Sequence, residues 1–162
     1  MKKHIAIALV ALLLSACGSS ETFETVLDDY VQPALAQVRQ ISVSLPPEAA
    51  SPALEGEDGC VYLCDGYEIY QQTLPAGDLS ATIRCVTGYD ESELTILESR
   101  QEDWKRYDFV WASAGDQGDL VGKGCILDDG SYHYVLTVLA DAEIAGEYQA
   151  VWQEMLSGFT LS

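Results

Sequence analysis

Short runs of alternating apolar and polar residues, separated by turn residues, constrain the fold of this chain more than any other feature. Cys60–Cys64 and Tyr67–Leu74 are two such runs, and the pair Asp65-Gly66 between them is typical of tight hairpins. Because side chains alternate between the two faces of a strand, these runs predict a largely antiparallel sheet. Further predicted strands follow at Leu79–Thr87, Tyr107–Ala114, Leu120–Leu127 and Ser131–Ala140.

Three amphipathic segments are predicted to form helices. Glu21–Gln40 has apolar residues at spacings of three and four, with a kink expected at Pro33. A capping-box pattern opens a second predicted helix at Asp90–Arg106. Asp141–Leu156 is the third, and it precedes a short final strand. We therefore expect an α+β fold, a sandwich in which helices pack on a largely antiparallel sheet, preceded by an N-terminal helix.

The N-terminus carries the pattern of an export signal. Lys2 and Lys3 precede an apolar run of about ten residues, half the ~20 that a membrane-spanning helix needs. The sequence Leu14-Ser15-Ala16-Cys17 that ends this run resembles the lipobox of bacterial lipoproteins, of a type that also occurs among anaerobic Firmicutes. The resemblance implies cleavage before Cys17 and attachment of a diacylglycerol to its thiol. The alternative is ordinary cleavage after Ala16, which would release a soluble product.

This interpretation divides the chain into four parts. Residues 1–16 would be the signal peptide, 17–22 the lipidated cysteine with its tether, 23–40 a helical segment, and 41–162 a single α+β domain. Two or three acyl chains anchor a protein stably in a bilayer. We therefore expect the domain at the extracytoplasmic face of the cell membrane, with the lipid bilayer as its first partner.

The chain is strongly acidic, with a formal net charge of −18. Loss of Lys2 and Lys3 with the signal would leave six basic residues against 26 acids, a charge of −20. Such a surface repels phosphate backbones, so nucleic acid is not expected as a partner. Cationic partners and loosely held divalent ions stay open, as does the simpler explanation that the charge keeps the domain soluble.

Four cysteines follow Cys17, namely Cys60, Cys64, Cys85 and Cys125. Outside the cytoplasm an even number suggests two disulfides, and four cysteines allow three pairings. In an extended segment Cys60 and Cys64 would lie about 13 Å apart, too far for a bridge. A four-thiolate zinc site and free thiols are the alternatives.

Candidate chemistry is sparse. His133 is the one histidine after the signal, and with Cys125 it could form a nucleophile–base dyad of a hydrolase, although no third orienting group is evident. Asp116 and Asp119 could bind calcium loosely but lack the ligand ladder of an EF-hand. No other metal site and no cofactor is predicted. The tryptophans are expected in the core: Trp104, Trp111 and Trp152. The tyrosines near the predicted hairpins are expected to pack against the sheet, and if exposed they could instead form a surface for a ligand or protein: Tyr62, Tyr67, Tyr70, Tyr132 and Tyr134.

Two further stretches carry a family resemblance. "ISVSLPPEA" resembles the opening strand of PsbP/Mog1-like domains, and "YHYVLTVLADAEIAGEYQAVWQEMLSGFTL" is similar to their closing strand, helix and final strand. The resemblance implies a non-enzymatic domain that docks to other proteins, here another envelope protein. It supplies no site residues. A small-ligand or metal-binding lipoprotein is the second hypothesis, and a hydrolase using His133 is the third.

Overall fold

The computed structural model describes residues 36–115 and 118–162. The signal peptide, Cys17, the tether and most of the predicted N-terminal helix lie outside this part of the chain. Within it, all sheet pairings are antiparallel. The strands are β1 (Ile41–Ser42), β2 (Leu54–Glu55), β3 (Gly59–Leu63), β4 (Tyr67–Pro75), β5 (Ile96–Arg100), β6 (Lys105–Gly115), β7 (Gly118–Asp128), β8 (Tyr132–Asp141) and β9 (Thr160–Leu161).

Seven of these strands form the main sheet, in the order β2-β3-β4-β8-β7-β6-β5, and β1 pairs with β9. The predicted hairpin around Asp65-Gly66 is confirmed, because β3 pairs with β4 and Gly66 has a φ of 94°. A positive φ is costly for residues with a Cβ, so glycine suits this turn. The described helices are α1 (Leu79–Thr87) and α2 (Gln149–Ser157). The predicted α+β class is confirmed.

The two helices cover opposite faces of the sheet. On one face, which we call the α2 face, Trp152, Met155 and Leu156 of α2 form the main core with residues such as Leu136 and Val138 of β8. On the other, the α1 face, Thr82 of α1 forms a hydrogen bond with His133 of β8. The side chain of His133 lies on the opposite face of β8 from those of Leu136 and Val138. Burying apolar side chains on both faces supplies the main driving force for folding.

The prediction of a strand at Leu79–Thr87 is wrong, because this segment is α1. Asp78 caps the helix by accepting a hydrogen bond from the Ser80 amide at 3.1 Å, and Gly88 ends it in the left-handed conformation. Leu79 and Ile83 are four residues apart and therefore share a helix face as well as a strand face. The apolar spacing therefore fits both a helix and a strand, and the caps at Asp78 and Gly88 favour the helix.

The predicted helix at Asp90–Arg106 is also wrong. The capping box of Asp90 and Glu93 forms, but it caps only a single 3₁₀ turn at Glu91–Glu93. β5 then begins at Ile96 and pairs along its whole length with β6, in a register that places Ile96 opposite Phe109. Pairing with a partner strand thus overrides the local helix signal.

The other predicted strands and the closing helix are confirmed as strands and a helix, but some begin or end at different residues than predicted. β6, β7 and β8 confirm the predicted strands, and the short final strand is β9. The closing helix begins later than predicted, since Asp141 still belongs to β8 and α2 starts at Gln149 after a 3₁₀ turn at Ala145–Tyr148. Residues 36–40 are not helical. The Arg39 amide instead donates to the hydroxyl of Tyr134 at 2.8 Å.

Candidate functional site

His133 lies on β8 beneath α1 and is only 1% exposed. Its Nδ1 is 2.7 Å from the Thr82 hydroxyl, and its Nε2 is 3.8 Å from a carboxylate oxygen of Asp128. Burial lowers the pKa of His133, while the nearby carboxylates of Asp128 and Asp129 act in the opposite direction. A buried histidine held by the helix above it ties α1 to the sheet and has no access to a substrate.

The proposed dyad of Cys125 and His133 is wrong. The register of β7 and β8 places Cys125 opposite Leu136 and Asp128 opposite His133. Residues paired across two strands have their side chains on the same face of the sheet, and successive residues of one strand have theirs on opposite faces. The Cys125 side chain therefore lies on the α2 face and the His133 side chain on the α1 face. A thiol and an imidazole on opposite sides of a sheet cannot exchange a proton.

The cysteines do not form the two bridges that were expected. Cys60, Cys64 and Cys125 carry free thiols, so at least three of the four candidates are unbridged. Cys60 is the second residue of β3 and Cys64 directly follows its last residue, so the extended backbone of the strand separates them. Cys125 is fully buried on β7, and burial raises the pKa of its thiol. A protonated, inaccessible thiol is a poor nucleophile.

The proposed calcium site lies only partly within the described structure. Asp119 is exposed at the start of β7, and Asp116 lies outside the described residues. Among the residues that are described, no group of three or more His, Cys, Asp or Glu side chains could hold a metal ion. The Asp128-Asp129-Gly130 segment is a turn, since Asp128 and Asp129 accept hydrogen bonds from the backbone amides that follow them.

An aromatic cluster lies at one end of the α2 face, and the sequence did not predict it because Tyr67 is far from Tyr148 and Trp152 in the chain. The ring centroids of Tyr67 and Tyr148 are 4.7 Å apart, and those of Tyr67 and Trp152 are 6.1 Å apart. The Tyr67 hydroxyl donates to Glu48 at 2.8 Å. Trp152 is only 3% exposed, and in the described part of the chain its indole N–H has no hydrogen-bond partner. A buried unpaired donor is costly, typically about 1–3 kcal/mol.

The aromatic residues mostly follow the packing prediction. Tyr67, Tyr134 and Trp152 are buried. The remaining members of the predicted set are only half-buried: Tyr62, Tyr70, Tyr132, Trp104 and Trp111. Apolar alternation along a strand predicts which face a ring takes, but the elements packed above it decide how deeply it is buried.

Arg106 marks the limit of the covered part of the α2 face. Its guanidinium binds both carboxylate oxygens of Asp108, at 2.7 and 2.8 Å, and donates to the backbone carbonyls of Leu156 and Phe159 at 2.7 and 3.0 Å. Burial by itself lowers the pKa of Arg106, and the hydrogen bonds and charge of Asp108, together with the nearby Cys125 thiol, more than offset this effect. Arg106 therefore fastens the end of α2 to β6.

Beyond Arg106, the same face is left open over β5 and the second half of β6. Leu97 is 67% exposed and Val110 is 53% exposed. In the β5–β6 register Leu97 faces Asp108, so Val110 is its diagonal neighbour on the same face, about 7–8 Å away. We call the face formed by Leu97, Val110 and Ala112 the open end of the sheet. Adjacent exposed apolar side chains suit contact with another macromolecule.

No helix in the described part of the chain is long and apolar enough to cross a membrane. No protein-family model and no curated protein matches the chain. Among solved structures, it is similar to that of LpqN, a protein involved in cell envelope biogenesis of Mycobacterium tuberculosis. The match has a TM-score of 0.52 at 10% identity, and it covers 82% of this chain and 87% of that chain. At this identity the likeness establishes a shared fold.

Proposed function

We propose that this protein is a lipid-anchored envelope lipoprotein that docks to another envelope protein and has no catalytic role of its own. The open end of the sheet is the observation that carries the proposal, because it presents Leu97 and Val110 to solvent on a rigid β-sheet. The fold shared with LpqN, whose described role is in cell envelope biogenesis, supports a place in the envelope. The net charge of −18 favours a cationic partner.

The anchor is tested first, because docking at the membrane depends on it. Protein extracted from its own membrane is digested, and the N-terminal peptide is weighed. We expect Cys17 at the new N-terminus with the added mass of a diacylglycerol. The Cys17→Ser variant should lose this mass and leave the membrane fraction. An unmodified peptide beginning at Cys17 would contradict the anchor.

Docking is tested by placing a photoreactive residue at position 97 of the full-length protein in its own membrane. Glu154, exposed on the outer side of α2, is the matched control position. We expect one discrete cross-linked product from position 97 and none from 154. The partner identified by mass spectrometry should form the same product when the photoreactive residue is placed on its own surface. Identical products from both positions, or none from 97, would contradict docking through the open end.

A small-ligand role is the second candidate, and the indole N–H of Trp152, which has no hydrogen-bond partner among the described residues, favours it. A ligand that accepted this hydrogen bond would be retained in native mass spectrometry of the extracted protein. The Trp152→Phe variant, which keeps an aromatic ring but removes the donor, should then release it. If the wild-type protein carries no extra mass beyond its lipid, this candidate has no remaining support.

A further inference from the structure

We propose that the docking partner contributes an extended basic segment that pairs with the outer edge of β5 and adds an eighth strand to the sheet. The inference rests on the proposed docking function and specifies its partner. β5 is the last strand in the order of the seven-stranded sheet, so only one of its edges is paired within the described chain. A free strand edge is a template for another strand.

The register shows which backbone groups are available on that edge. The Gln101 amide donates to the Trp104 carbonyl at 2.9 Å, so this pair is a hydrogen-bonded one. Hydrogen-bonded and non-hydrogen-bonded pairs alternate along an antiparallel ladder. Leu97 and Ser99 therefore direct their N–H and C=O groups toward β6. Ile96, Glu98 and Arg100 direct theirs outward, where an incoming strand could bind them.

The opposite edge of the sheet is much less suited to such pairing. It is formed by β2, which contains only Leu54 and Glu55. Very short edge strands are one of the ways in which proteins avoid unwanted strand addition. β5 has five residues and no proline, and the apolar open end adjoins it. The two edges therefore differ in their capacity to accept a partner.

Charge decides between the possible occupants of the β5 edge. A second copy of the chain, paired antiparallel about the middle of β5, would place Glu98 opposite its own counterpart, which is unfavourable, and only a shift of the pairing centre to Ser99 would place Glu98 opposite Arg100. Two chains of net charge −18 also repel each other. The chain in and next to β5 carries more exposed acidic than basic residues, with Arg100 the exposed basic residue of the strand and these acidic ones: Glu91, Glu93, Glu98 and Glu102. The nearest compensation for Glu98 is Lys105 at 3.8 Å, an exposed pair of small value. A basic strand therefore fits better than a second copy.

Strand alternation also specifies the side chains of the partner. A residue beside Leu97 would lie on the open end and should be apolar, whereas a residue beside Glu98 would lie on the other face and should be cationic. The expected segment thus has an apolar residue beside Leu97 and a basic residue beside Glu98, but no basic residue beside Arg100, which lies on the same face as Glu98. This pattern differs from that of an amphipathic helix, which would present its apolar residues three and four apart.

The probe is a short valine–threonine peptide with a single lysine at its centre, placed to lie beside Glu98. It is added to the full mature chain and compared with a valine–glutamate peptide, in which glutamate replaces that lysine. Hydrogen exchange is followed at the backbone amides of β5. We expect the lysine peptide to slow exchange at Ile96, Glu98 and Arg100, and to leave Leu97 and Ser99 unchanged because β6 already protects them. The glutamate peptide should have no effect.

Two substitutions at Glu98 separate charge from backbone pairing. Glu98→Gln keeps the outward N–H and should weaken binding of the lysine peptide a few-fold, with the difference vanishing at high salt. Glu98→Pro also removes the N–H, which β6 does not use, and proline is tolerated on such an edge. It should weaken binding by about a further tenfold, as expected for one lost hydrogen bond. If this variant does not fold, the exchange experiment on the wild-type chain still decides.

The outcomes distinguish this inference from the docking function. Protection confined to Ile96, Glu98 and Arg100 supports strand addition. A cross-link from position 97 without protection of these amides overturns strand addition but leaves docking through the side chains intact. Absence of both overturns both proposals. Protection by the valine–glutamate peptide as strong as that by the lysine peptide overturns the basic character of the partner.

Discussion

The two halves of the α2 face both carry apolar side chains on their strands, but these side chains differ greatly in their exposure to solvent. Over β7 and β8, Leu136 and Val138 are completely buried beneath α2. Over β5 and β6, Leu97 and Val110 are more than half exposed, although they are no less apolar. The difference arises from the length of α2, which has nine residues, about 14 Å at 1.5 Å per residue. Seven strands at about 4.8 Å apart are far wider than this helix can cover.

The largest expected effect tests the covered half. Leu136→Ala removes a buried side chain from the core under α2 and should lower the free energy of unfolding by about 2–5 kcal/mol. Urea unfolding followed by tryptophan fluorescence measures it. A change below about 1 kcal/mol would mean that α2 does not pack tightly on the sheet.

The boundary between the halves is tested at Arg106. Arg106→Lys keeps the charge but cannot hold Asp108 and two carbonyls with one planar group. We expect a loss of about 1.5–3 kcal/mol in urea unfolding. Hydrogen exchange should also increase at the C-terminal end of α2. An unchanged exchange rate at Leu156 and Phe159 would contradict the fastening role of Arg106.

The opposite face of the central strands is tested at Gly124. A Cβ at this position would lie 2.7 Å from the Phe109 ring and 2.8 Å from a methyl group of Thr137, both of which are buried. Gly124→Ala should therefore cost about 1–3 kcal/mol. The matched control is Gly77→Ala, since no atom lies within 4 Å of a Cβ there. Equal effects of the two variants would contradict tight packing on this face.

His133 provides a pH test of the α1 face. Burial holds its pKa below the ordinary value of 6.5, so the unfolded chain binds a proton more readily than the folded one. Stability should therefore fall as the pH decreases below about 6.5, by no more than about 1.4 kcal/mol per pH unit for this one group. Urea unfolding between pH 5 and 8 is compared with that of His133→Gln, which should show a shallower dependence. Parallel curves would contradict a buried neutral imidazole.

The smallest expected effect on stability is at Leu97, on the open end of the sheet. Leu97→Ala should change the free energy of unfolding by less than about 0.5 kcal/mol, because 67% of this side chain is already in water. The same variant should weaken docking, as measured by loss of the cross-link from a photoreactive residue at position 110. A destabilisation as large as that of Leu136→Ala would show that Leu97 belongs to the core.

Local signals predicted the elements whose structure is decided within a few residues. The hairpin at Asp65-Gly66 and the strand β8 could be predicted because turn chemistry and strand alternation act at short range. β5 could not, because its partner β6 had to be in place before pairing could outweigh the capping box at Asp90. For α1 the caps at Asp78 and Gly88 are present in the sequence, but the alternating apolar residues between them match a strand equally well.

The candidate site was less predictable than the fold. The sequence does not show that Leu97 is exposed and Leu136 is buried, since Leu97 lies in a predicted amphipathic helix and Leu136 in a predicted strand, and both patterns favour burial of leucine. The rejection of the Cys125–His133 dyad likewise required the β7–β8 register, because a shift of one residue exchanges the faces of every side chain. The predicted lipidation of Cys17 lies outside the described residues and stays a prediction.

The sequence by itself determined the acidic charge, the antiparallel strand pattern and the tight turns, because these depend on composition and on neighbouring residues. The tertiary structure decided which side chains meet and which remain in water. Helix α2 covers one half of a sheet face and Arg106 ends that cover. Leu97 and Val110 therefore stay exposed beside the edge of β5, with which no other strand of the described chain pairs. Exposure depends on the elements that pack above a residue, and those elements are distant in the chain.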